Sequence, residues 1–177
     1  VDGRAVKSCV LTTKRAVGKN IVTTEGLSDR EKEAFVYAFG SKGAVQCGFC
    51  IPGMVMAGKA LIDRVPDPTE EEIKTALKGN VCRCTGYKPL IDAVMDAARV
   101  LRGEITREDL MFQPTDNRIM STTYARPSAA AKVTGSWDFG ADEIRTLPED
   151  TLQIALVQAE VSHALIRGID TSEAEKM

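Results

Sequence analysis

Neither sign of charge is in excess in this sequence: its 177 residues carry 23 Lys and Arg against 25 Asp and Glu, a formal net charge of −2. With a pI near 5.6, that balance gives no electrostatic footprint for DNA, RNA or an anionic lipid surface. Long apolar runs are also missing; none approaches the ~18 to 20 residues needed to span a bilayer. The opening VDGRAVKSCVL lacks the charged-then-apolar pattern of a secretory leader. These absences point to a cytoplasmic protein, with the periplasm left open, and to no nucleic-acid or membrane partner. Histidine is represented only by His163, which follows an alternating apolar segment and reads as structural. What remains, 44% hydrophobic and 27% charged residues, is ordinary for a globular protein.

Periodicity divides the chain. Residues 1–27 hold short alternating stretches, Ala5-Val6 to Val10-Leu11 and Ile21 to Thr24, that read as a broken piece of sheet. From Ser28 the period becomes helical. Ser28 with Glu31 has capping-box spacing, and Phe35, Ala38 and Phe39 follow on one face. A second helix is expected from Pro52, lined by Met54, Gly58, Leu61 and Ile62 and stopped by Pro66 and Pro68. Thr69 and Glu72 cap a third, with Ile73, Ala76 and Leu77 inward. Pro89 opens a fourth, whose stripe is Leu90, Val94, Ala98 and Leu101 before Gly103. Four amphipathic helices over residues 28–103 make a small bundle.

Residues 104–131 read as a linker, and Leu152, Ile154 and Leu156 alternate as a strand would to about Ala159. Asp63, Asp67 and Glu70 to Glu72 are read as a solvated face, and Trp137 and Phe139 as packing residues. The chain starts at Val1 and stops at Met177, soon after the capping-box spacing of Asp170 and Glu173. It is therefore expected to be a piece of a larger protein.

Four of the five cysteines form Cys47-x-x-Cys50 and Cys82-x-Cys84, while Cys9 stands apart. Each pair precedes a predicted helix, so the thiolates are expected at the positive ends of two helix dipoles, a placement suited to an anionic 2Fe-2S cluster. A structural zinc site also uses four cysteines. Its usual form is two C-x-x-C knuckles, whereas one pair here is C-x-C and both lead into helices. Disulfides would need an oxidising compartment that nothing in the sequence supports.

Gln46-Cys-Gly-Phe-Cys-Ile-Pro-Gly53 and Asn80-Val-Cys-Arg-Cys-Thr-Gly-Tyr87 resemble the second iron-sulfur domain of the xanthine oxidase family of molybdenum hydroxylases. The resemblance implies that Cys47, Cys50, Cys82 and Cys84 are cluster ligands and that Gln46 and Cys84 lie against a molybdopterin. For Gln46, a side chain that merely satisfies backbone groups stays an open alternative. Residues 1–27 resemble the end of a plant-ferredoxin-like 2Fe-2S domain, in which Cys9 would be the last ligand of a second cluster. Only eight residues precede it, so the remaining ligands of that cluster are absent.

Lys132-Val-Thr-Gly135, Asp138 to Asp142 and Leu152 to Asp170 resemble the opening of the family's molybdenum-binding domain, taken as residues 132–177. No flavin domain fits between the two parts, which makes the single-chain aldehyde oxidoreductases, with molybdopterin cytosine dinucleotide, the nearest type. The implied fold is mainly α: a four-helix 2Fe-2S bundle flanked by the β end of a ferredoxin-like domain and the α/β start of a molybdopterin-binding domain. The implied function is relay of single electrons from molybdenum to an external acceptor. The implied partner is the rest of the same polypeptide, or a complementary subunit carrying the molybdenum site. No catalytic residue is expected in residues 1–177. The iron-sulfur subunit of a related xanthine, N-heterocycle or carbon monoxide dehydrogenase, and a zinc-stabilised structural module, are the alternatives.

Overall fold

The computed structural model describes residues 1–111, 120, 122 and 124–176; much of the expected linker, 112–119 with 121 and 123, lies outside the described residues, as does Met177. Among the described residues seven α-helices follow in chain order: α1 (Thr13–Ala16), α2 (Asp29–Ser41), α3 (Ile51–Ile62), α4 (Glu70–Leu77), α5 (Lys88–Arg102), α6 (Arg107–Leu110) and α7 (Ala129–Thr134). Short 3-10 turns occur at Ser8–Val10, Thr24–Gly26, Glu143–Arg145 and Ala174–Lys176. The chain forms two compact units, Val1–Trp137 and Asp138–Met177.

The helix ends follow local chemistry. At α2 the Glu31 amide donates to Ser28 Oγ at 3.3 Å, and the Ser28 amide donates back to Glu31 Oε2 at 2.7 Å. Two orphan amides of the first turn are thereby satisfied. Thr69 and Glu72 repeat the device at α4, with distances of 3.3 and 2.8 Å. Pro52 and Pro89 sit in the first turns of α3 and α5, where the missing N–H costs no helical bond. Helix α5 ends at Gly103, whose left-handed backbone (φ 77°) lets the next amides reach the carbonyls of Val100 and Arg99.

The core lies where the predicted stripes meet. Phe35, Ala38 and Phe39 of α2, Met54 and Val55 of α3, Ile73 of α4 and Leu90, Val94 and Ala98 of α5 are all essentially inaccessible. The Phe35 and Phe39 rings pack edge to face at 6.0 Å. Gly58 brings α3 close to α5, since a Cβ there would stand 3.1 Å from Val94 Cγ2 and 3.4 Å from the Phe35 ring. Two ionic links add to this frame. Asp96, buried on α5, pairs with Lys42 at 2.9 Å and Arg99 at 3.2 Å, while Lys59 of α3 pairs with Glu31 of α2 and with Asp63 at 3.0 Å.

Two features differ from the sequence reading. No strand occurs among the described residues: Ala5 to Leu11 contains a 3-10 turn, Ile21 to Thr23 is irregular, and Leu152 to Ala159 is exposed and irregular. Alternation provides a strand with two faces but no ladder partner, and without a hydrogen-bonded neighbour it does not form. The expected β and α/β flanks are accordingly not realised as sheet here. Secondly, Asp170 caps no α-helix; its carboxylate accepts from the Ser172 amide at 3.0 Å ahead of a 3-10 turn. Helix α7 packs on α2 and buries Ala129, and the compact unit that holds the bundle runs to Trp137. In the second unit, Asp142 accepts from the Phe139 amide at 3.0 Å and from Arg145 at 2.9 Å.

Phe35→Ala should lower unfolding free energy by roughly 3–5 kcal/mol, read by denaturant titration, because it empties the centre of the α2–α3–α5 contact. Burial tends to raise the pKa of Glu31, but hydrogen bonds from Lys59 and Ser28 outweigh it and leave it below the usual 4.5. A depressed carboxylate stabilises the fold above its unfolded pKa, and that contribution fades as pH falls through the folded value. The thermal-stability deficit of Glu31→Gln should therefore be largest near neutral pH and narrow below about pH 5.

Candidate metal centre

The first cysteine loop is pinned at both ends by apolar burial. Val45 and Ile51 are each 1% exposed, which holds the loop against the core and turns Cys47, Gly48 and Phe49 outward. Gly48 makes the turn possible with φ +90°, and the Ile51 amide donates to its carbonyl at 3.1 Å. Cys50 is the cap residue of α3 and is half-buried.

The second loop is tied by its own side chains. The Cys82 amide donates to the Tyr87 hydroxyl at 3.0 Å, and the Tyr87 amide donates to Thr85 Oγ1 at 3.3 Å. Thr85 Oγ1 also lies 3.2 Å from Cys82 Sγ. Tyr87 takes φ 69°, a left-handed conformation costly for a residue with a Cβ, and these bonds hold it there. Because Tyr87 caps α5, the C-x-C pair stands a full turn of chain before that helix. The helix-start placement expected for both pairs thus holds directly for Cys50 alone.

Across the loops the thiols pair. Cys47 Sγ and Cys84 Sγ are 3.6 Å apart, and Cys50 and Cys82 are near enough for each to influence the other's ionisation. That sulfur separation far exceeds a disulfide bond and is close to the ~3.7 Å between two thiolates bound 2.3 Å from one tetrahedral metal. Among the described residues no three His, Cys, Asp or Glu side chains close around a single point as ligands of one ion would. At Cys47 and Cys84 the contact is between one thiol from each loop. Cys9 is exposed in the turn Ser8–Val10 and takes part in neither pair.

Protonation follows position. Burial, then the neighbouring Cys82 and Cys47, pushes the Cys50 thiol up to about 12. Burial also acts against ionisation of Cys82, but the Thr85 hydroxyl and the amides of Thr85 and Cys84 outweigh it and lower its pKa. The hydrogen bond with Cys47 raises Cys84. Metal loading must displace these thiol protons.

Gln46 lies beside the site. Its Nε2 donates to the Cys84 carbonyl at 3.1 Å, so the amide joins the two loops and satisfies a backbone group. Lys132 of α7, absent from the residues singled out in the sequence, donates from Nζ to the Gln46 carbonyl at 2.8 Å. Thr85 and Tyr87 were also passed over as contributors. His163 is exposed and belongs to the second unit.

Residues 23–95 match the family model described as a 2Fe-2S binding domain. The chain is 48% identical over 182 residues to an aldehyde oxidoreductase of Megalodesulfovibrio gigas, an alignment covering all of this chain and 20% of that protein. The solved aldehyde oxidoreductase of Desulfovibrio desulfuricans superposes with a TM-score of 0.71 at 49% identity, covering 99% of this chain and 20% of the other. A quinoline 2-oxidoreductase structure from Pseudomonas putida matches at 39% identity and TM-score 0.52, over 59% of this chain and 67% of its own. The chain belongs to the xanthine oxidase family. It carries that family's 2Fe-2S domain and spans about a fifth of the aldehyde oxidoreductases it matches.

In this member of the xanthine oxidase family, Tyr87→Phe should cost about 1–2 kcal/mol, because the partly buried Cys82 amide loses its acceptor. Thermal unfolding should show the loss, accompanied by faster release of iron to a chelator.

Proposed function

We propose that this chain is the electron-transfer portion of a molybdopterin-dependent aldehyde oxidoreductase, with Cys47, Cys50, Cys82 and Cys84 holding a 2Fe-2S cluster. The observation that carries the reading is the pairing of sulfurs across two loops distant in sequence, at 3.6 Å for Cys47 and Cys84. In the assignment that follows, Cys47 and Cys84 serve one iron and Cys50 and Cys82 the other. Four thiols with amides and a helix start directed at them suit an anionic centre, and the cluster when bound supplies one-electron redox chemistry. The chain's own residues hold it: Val45 and Ile51 fix one loop, and Tyr87 and Thr85 fix the other.

The wider assignment rests on the likeness. Alignment over the whole chain with an aldehyde oxidoreductase favours the single-chain type, whereas the quinoline enzyme's chain matches only 59% of it. On this reading residues 1–27 are the end of a ferredoxin-like domain with Cys9 ligating a second cluster, 28–103 the 2Fe-2S bundle, 104–131 a linker and 132–177 the start of the molybdopterin-binding domain. Gln46 and Cys84 face the pterin, in its cytosine dinucleotide form, and electrons pass from molybdenum through this bundle to an external acceptor. The partner is the remainder of the polypeptide or a complementary subunit that holds molybdenum. We place the protein in the cytoplasm, where the reducing environment keeps cluster thiols free; among the described residues no helix is long and apolar enough to cross a membrane.

Iron and acid-labile sulfide assayed on the purified protein should be present in equal amounts, about two of each for this site. Cys84→Ala should abolish the site's visible absorption and its iron; retention of both would remove Cys84 from the ligand set. A single zinc without visible absorption would favour the structural module instead.

A further inference from the structure

We infer that Lys132 is a positioning residue that sets the reduction potential of the cluster assigned above, an inference that rests on that assignment. Two contacts bring α7 onto the first cysteine loop, and a third holds the Lys132 ammonium. The Lys132 ammonium donates to the Gln46 carbonyl at 2.8 Å. Its aliphatic stem covers Gly48, where a Cβ would stand 3.3 Å from Lys132 Cβ. Trp137 holds the ammonium from another side, with its ring centroid 5.1 Å away.

Gln46 extends this link to the second loop, since its Nε2 donates to the Cys84 carbonyl at 3.1 Å. One cation is thus tied, through one residue, to the loops that supply the paired Cys47 and Cys84. Reduction adds one negative charge to the centre, and a fixed positive charge at that loop favours the reduced state. Arg83, between Cys82 and Cys84, is the other cation on these loops and is exposed. Water screens it more than it screens an ammonium held against a carbonyl and an indole.

The test uses the full-length holoenzyme with Lys132→Gln, which keeps a donor for the Gln46 carbonyl but loses the charge, and Lys132→Arg, which keeps the charge. Potentiometric titration monitored by electron paramagnetic resonance reads the cluster directly. Lys132→Gln should lower the one-electron reduction constant at least about threefold, or ~28 mV where tenfold is 59 mV, with iron and sulfide unchanged. Lys132→Arg should stay within that interval of the wild type. A Lys132→Gln variant with full iron and the wild-type potential would overturn the inference, as would loss of iron in both variants, which would make the role structural. Wild-type protein lacking two irons and two sulfides at this site would instead overturn the cluster assignment, and the inference with it.

Discussion

The architecture depends on bringing two short cysteine loops, separated by two helices in the chain, within a few ångströms of each other. Burial first, then the neighbouring Cys82 and Cys47, disfavours the Cys50 thiolate, and an external frame is what holds the loops together. That frame is apolar. Ile51 and Leu90, each within a few residues of a cysteine pair, are buried in the same cluster as Phe35 and Val94. Packing of α3 and α5 against α2 therefore sets the distance between the sulfurs. The loops contribute only the local turn geometry at Gly48 and Tyr87.

Helix existence and ends were readable because they arise from neighbours in sequence. Ser28 with Glu31 and Thr69 with Glu72 are contacts three residues apart, and each was found as spaced. Burial of Phe35, Met54, Ile73 and Leu90 followed from helical period alone. The capping box of Thr106 and Asp109 at α6 was overlooked, since its third residue is Asp and not the usual Glu.

What escaped was long-range. The alternation at Leu152 to Ala159 resembled a strand, yet a strand is a property of two segments and one was read. Asp96 is buried beside Lys42, more than fifty positions earlier in the chain, a contact that helical period does not reveal. Lys132 was noted only as part of a string resembling the next domain, and its contact with Gln46 spans 86 positions. The cysteine ligand types were legible because spacing within each pair is short; which thiol faces which across the loops needed coordinates.

Small residues where α7 meets α2 bear on how this region can be divided. Gly40 lies against Ala129, and a Cβ on the glycine would stand in ordinary contact, 3.7 Å, with the alanine methyl. A polypeptide trimmed at Gly103 would leave that flank of α2 bare and strip the cover from Gly48. Anyone isolating the helical module for spectroscopy should therefore keep the chain through Trp137, or accept a wetted, stickier surface beside the sulfurs.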